Sequence, residues 1–134
     1  GETVAYGTDA SRFSGATFDP SGIYRLDAVM DWLQTTDLGV AAMDDICTGL
    51  QRSFIKKLDG ARTKIGAHQL VVKDPAQCGR FLTFQTSDAA RVDEALAARN
   101  ILVDHRGDRL RIGFGIYQDE GDVGRLLDAL KTVT

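Results

Sequence analysis

The chain of 134 residues has the usual size of one domain and is long enough to bury a core of its own. Sixteen Lys and Arg against nineteen Asp and Glu leave a net charge of -3, with the signs interleaved and no basic block, so nucleic acid is not an expected partner. Apolar residues make up 43%, yet no run approaches the roughly 20 residues that span a bilayer, which predicts a soluble, cytoplasmic protein without a membrane partner. Cys47 and Cys78 have no CxxC or Cys/His spacing, which gives no reason to expect a zinc site or a disulfide framework. The chain opens Gly1-Glu2 without Met, as a tag remnant or a fragment of something longer would.

Residues 1–18 lack a helical period and hold Gly, Ser and Thr at short intervals, so an extended arm or loop is expected there. Asp19-Pro20 then reads as a helix start, because Asp accepts a bond from an orphan N–H and Pro at the first helical position loses none. Ile23, Leu26, Met30 and Leu33 keep one helical face until "QTTDLG" interrupts it. A second helix is expected from about Leu38 to Leu58, with Met43, Ile46, Cys47, Leu50, Phe54 and Leu58 on one stripe. Cys47 is thereby read as a core thiol.

Beyond Gly60 the period shortens. "HQLVV" (68–72) and "RFLTFQT" (80–86) read as strands separated by the turn "KDPAQCG". Ser87 is the expected cap of a helix carrying Val92, Ala95 and Leu96 and ending near Asn100. "ILVDH" and "RLRIG" follow as strands around Arg106-Gly107-Asp108, a tight hairpin whose Arg-Gly-Asp needs only turn geometry to explain it, not adhesion. Asp119 caps a last helix with Val123, Leu126, Leu127 and Leu130 inward. Residues 19–134 are thus expected to form a single α+β domain: a two-layer sandwich in which a three- to four-stranded, mainly antiparallel sheet has its helices packed on one face.

In "RLRIGF" alternation sends Leu110, Ile112 and Phe114 toward the helices and Arg109, Arg111 and Gly113 to the other face. Two readings of the arginines stay open on spacing alone. They are solvated strand charges pairing with acids such as Asp104 across the hairpin, or Arg111 is a planar guanidinium held by a strand for bidentate binding of a carboxylate. His68 and His105 are acid-base candidates by residue type only.

Two segments carry a resemblance. "SRFSGATFDPSGIYRLDAVMDWLQ" (11–34) and "RNILVDHRGDRLRIGFGIYQDEGDVGRLLDAL" (99–130) resemble segments of class V aminotransferase-like enzymes, whose relatives include kynureninase, cysteine desulfurase and isopenicillin N epimerase. The resemblance implies the small C-terminal domain of a fold type I enzyme whose large domain, missing here, carries a lysine bound to pyridoxal 5'-phosphate. It further implies a homodimer, an amino acid substrate whose α-carboxylate Arg111 binds, and a cofactor phosphate that Thr17 reaches. Where those enzymes have Gly-Thr-Pro, this chain has Ala16-Thr17-Phe18. Neither Cys47 nor Cys78 matches the loop cysteine of the sulfur-removing relatives, which favours aminotransferase, epimerase or kynureninase-like lyase chemistry. Lys56, Lys57, Lys64, Lys73 and Lys131 fall on expected helix surfaces or turns, so the cofactor lysine is expected elsewhere and the chain alone is expected to be inactive. The other reading is a stand-alone, non-catalytic α+β module that binds a small ligand or dimerises.

Overall fold

The computed structural model describes residues 5–13 and 19–133. Thr17 lies outside the described residues. The chain divides into two compact units, residues 1–39 and 40–134.

The first unit holds helix α1, Ser21–Thr35. Asp19 accepts an orphan N–H at its start, its Oδ1 taking the Ser21 main-chain N–H (2.9 Å) and hydroxyl (2.5 Å), while Pro20 stands at the cap position rather than the expected first helical one. Those bonds, the hydroxyl's first, hold the Asp19 carboxyl below the usual range. No residue of α1 is buried, and Ile23, Leu26, Val29 and Met30 are all exposed.

The second unit is the α+β sandwich. Helices α2 (Val40–Asp59), α3 (Ala89–Ala97) and α4 (Glu120–Lys131) accompany strands β1 (Phe81–Gln85), β2 (Asp104–Arg106) and β3 (Arg109–Gly113). The sheet is antiparallel throughout, in the order β1-β3-β2. Leu82 and Phe84 of β1 and Leu110 and Ile112 of β3 turn inward, where they are buried with Leu50, Phe54 and Leu58 of α2, Val92 and Leu96 of α3, and Val123 and Leu130 of α4. Phe54 ties α2 to the sheet layer, lying edge-on to Phe84 (ring centroids 6.2 Å apart) and tilted against Phe114 (5.7 Å). Cys47 is buried on the same helix.

Three expectations change in detail. "HQLVV" is not a strand. Ala67–Gln69 is a 3-10 turn closed by the Gln69 side chain, which accepts from the Gly66 N–H (2.8 Å). Only Leu70 bridges to Phe84, with the Val71 N–H donating to the Thr83 carbonyl, so the sheet has three strands. "ILVDH" pairs only from Asp104 onward, and Leu102 stands 87% exposed. The cap of α3 is not Ser87. The chain turns one residue later, and the Thr86 hydroxyl accepts from the Asp88 N–H (3.2 Å) instead.

The other turns follow their residues. Gly107, at φ +58°, leads the two-residue loop that joins β2 to β3, a left-handed position that glycine takes without a Cβ penalty. Asp119 caps α4 by accepting from the Gly121 and Asp122 N–H groups, while Asp122 accepts from the Asp119 N–H. Asp122 is held below the ordinary carboxylate range, first by its bond to Arg125 and then by that main-chain bond.

Candidate functional site

Alternation along β3 puts Arg111 on the face of the sheet away from the core, because Leu110 and Ile112 are claimed by the helices. Register then decides its neighbours. Arg111 lies between Thr83 of β1 and Asp104 of β2, and two pairs further along, on the same face, Phe81 faces Gly113. Gly113 presents no side chain beside that ring, and the Arg111 guanidinium carbon sits 5.4 Å from the centroid of Phe81. Nη2 of Arg111 forms an ion pair with Oδ2 of Asp104. The arginine side chain is 28% exposed and the aspartate 52%.

The neighbouring arginine behaves differently. Arg109 Nε lies 3.4 Å from Oδ1 of Asp108 in the turn itself, and Oδ2 of Asp108 accepts from Gln85 (3.0 Å). Arg109 is therefore tied to the hairpin end, whereas Arg111 occupies mid-sheet above an aromatic ring.

His105 sits directly after Asp104 and so points to the opposite, helix side. Its Nδ1 lies 2.6 Å from Oδ2 of Asp93 on α3, a link between strand and helix rather than a group facing Arg111. His68 is exposed on the 3-10 turn. Neither histidine shares a surface with the arginine. Arg80 Nη1 donates to the Met43 carbonyl (3.0 Å) and to Sγ of buried Cys47 (3.3 Å). Partial burial, and next the Asp74 charge, push the Cys78 thiol above its usual range, which disfavours the reactive thiolate.

A groove of about 800 Å³ runs between the segment Ile101–Val103 and α4, with Ile112, Phe114, Leu126 and Ala129 among its lining. Arg111 does not line it. Tyr117, 87% exposed, stands at its rim in a turn closed by Gln118, whose side chain accepts from the Gly115 N–H (2.7 Å).

Pyridoxal phosphate needs an amine for its aldehyde and donors for its phosphate. All five lysines are exposed. Lys57 pairs with Glu120, Lys131 with Asp128, and Lys73 donates to the His68 carbonyl. On the outer face of the sheet the described residues present a guanidinium held on a strand, chemistry that fits a carboxylate. No group of three or more metal-ligating side chains occurs among the described residues, and no helix among them is long and apolar enough to cross a membrane.

Sequence reasoning placed Arg111 on the outer face and, in one of the two open readings, offered Asp104 as an example of the acids with which Arg109 and Arg111 would pair. It missed Phe81, whose only signal was that alternation in "RFLTFQT" puts Phe81 on the face opposite Leu82 and Phe84. It also missed the link between Asp93 and His105, for which a separation of 12 residues offers no pattern.

A search of curated proteins gives no match. The family model of the kynureninase C-terminal domain matches residues 47–130, which include β1, β2, β3 and Arg111 but not the similar segment at 11–34. With well over half of its length matched, the chain belongs to the kynureninase C-terminal domain family.

Proposed function

We propose that this chain is the C-terminal domain of a pyridoxal-phosphate-dependent enzyme acting on an amino acid, and that Arg111 holds the substrate's α-carboxylate. The observation that supports the reading is the match to the kynureninase C-terminal domain, which spans β3 and Arg111. The placement of Arg111 supports it. A planar guanidinium fixed on a strand forms two parallel, charge-assisted bonds to a carboxylate, and this fixes where the substrate's amine and α-carbon lie. When bound, the cofactor supplies an electron sink beside that α-carbon. In this reading the cofactor lysine belongs to a large domain outside these 134 residues, Thr17 contacts the cofactor phosphate, and the enzyme works as a homodimer. The reaction is of the kynureninase-like lyase kind, with aminotransferase or epimerase chemistry as the variants of the same carboxylate anchoring.

The test is steady-state kinetics of the full-length enzyme on kynurenine. Two bonds to a charged group contribute about 1.5–3 kcal/mol each, so Arg111→Ala should lower kcat/KM by at least about 100-fold, and Arg111→Lys, which keeps charge but loses the fork, by less. The folded state should hardly notice, because a half-exposed ion pair and a surface cation–π contact each contribute about 1 kcal/mol or less.

One observation favours a second reading, a non-catalytic module: Arg111 already has a carboxylate partner in Asp104. Unchanged kinetics together with a loss of several kcal/mol of stability in Arg111→Ala would identify a structural ion pair and sink the carboxylate anchor.

A further inference from the structure

We infer that Asp104 and Phe81 together form a holder that fixes the Arg111 guanidinium for an incoming carboxylate, which makes Asp104 a positioning residue for substrate binding. The inference rests on the reading of Arg111 as the carboxylate anchor. It adds what aims that anchor.

Three features of the sheet carry it. Asp104 is the residue directly opposite Arg111 on β2, so the strand register alone brings the two side chains together, and the ion pair needs no unusual backbone. Phe81 lies on the other flank, on β1. Opposite it stands Gly113, where even a Cβ would come within 3.6 Å of the Phe81 Cβ and 3.1 Å of the Arg80 carbonyl oxygen. A larger residue at 113 would crowd the space that the guanidinium uses beside the ring. An arginine side chain has four rotatable bonds and wanders unless it is held. Here the ring lies beside the guanidinium and an acid grips one nitrogen, so its plane is set from two directions.

The contacts also leave the binding edge available. Asp104 Oδ2 closes on Nη2, and because Nη2 carries two N–H groups, one of the two donor pairs it shares, with Nε or with Nη1, is left for a carboxylate. The holder's charge matters too. With Asp104 in place the pair is close to neutral, so a second carboxylate is drawn by matched hydrogen-bond geometry more than by net charge. Such a site discriminates against simple anions, whereas a bare arginine would not. For stability the arrangement does little, because half-exposed pairs contribute about 0–1 kcal/mol. Orientation is what it can supply.

The experiment uses the full-length enzyme with kynurenine, comparing Asp104→Asn, Asp104→Glu, Phe81→Leu and Arg111→Ala. A guanidinium freed on one side should raise KM by about tenfold in Asp104→Asn while kcat stays within about twofold, with Asp104→Glu restoring part of the loss and Phe81→Leu giving a smaller KM rise. The thermal midpoints should match that of the parent. A second readout needs no catalysis. In the 134-residue chain, NMR relaxation of the Arg111 Nε–H should report a more mobile side chain in Asp104→Asn than in the parent.

The failures separate cleanly. If Arg111→Ala leaves KM unchanged, the carboxylate anchor itself is wrong. If Arg111→Ala raises KM but Asp104→Asn leaves it unchanged, Asp104 is only a surface partner and the holder is overturned. A KM that falls in Asp104→Asn would overturn it in the other direction, by showing that Asp104 competes with the substrate for the guanidinium.

Discussion

Phe54 shows how one side chain joins the layers of the second unit. It is fully buried on α2 and touches the rings of Phe84 and Phe114 from two directions. Truncating it would leave a cavity that neither helix nor sheet can easily collapse, so Phe54→Ala should cost about 3–5 kcal/mol, measured by urea unfolding. A loss below about 1 kcal/mol would mean that this interior is loosely packed. The same residue marks what could be read without coordinates. Its spacing with Leu50 and Leu58 put it on a buried stripe, and the inward set Leu110, Ile112 and Phe114 followed from alternation. Arg111's face followed from the same rule. The ring beneath it did not, because which residue of β1 meets which of β3 depends on strand register, a relation between segments about 30 residues apart that local pattern does not encode.

Among the elements, α2 and α4 are joined at one polar point. Glu120, in the first turn of α4, accepts from Lys57 Nζ (2.5 Å) and from the Ser53 hydroxyl (2.8 Å), both on α2. Those bonds, that of Lys57 first, hold the Glu120 carboxyl below its ordinary value near 4.5. A carboxyl whose value is lowered on folding favours the folded state at any pH above that ordinary value, and the advantage fades as pH falls through the lowered one. Thermal melts of the parent and of Glu120→Gln, taken from neutral pH down to about 3, should therefore converge at the acid end and separate above it. Parallel curves would show that the contact contributes nothing measurable. The elements that sequence misjudged were those whose local chemistry had competitors. The β-rich composition of "HQLVV" lost to a turn closed by Gln69, and ahead of α3 the Thr86 hydroxyl takes the Asp88 N–H, so the helix starts past Ser87.

At the scale of the molecule, every buried hydrophobic residue among those described lies between Cys47 and Val133, within the second unit. That unit has its own sheet, three helices and closed interior, the requirements for independent folding. Residues 40–134 produced alone should unfold in a single cooperative transition, with coincident fluorescence and circular-dichroism melts. Non-coincident transitions would show that the interior needs more of the polypeptide than these residues. The α+β class was visible in the order of periods along the chain, while the division near residue 39 was not, since "QTTDLG" reads like any short connection between helices.

The turn at 67–72, misread as a strand, has a bearing on how this sheet meets other chains. By bridging Leu70 to Phe84 and donating the Val71 N–H to Thr83, it occupies hydrogen-bonding positions along the outer border of β1 that another polypeptide would need. The opposite border belongs to β2, only three residues long and bearing Asp104 and Arg106 as charged gatekeepers. A sheet closed on one side and cut short on the other is a poor template for runaway strand addition, so the exposed layer that carries Arg111 can stay open without inviting aggregation.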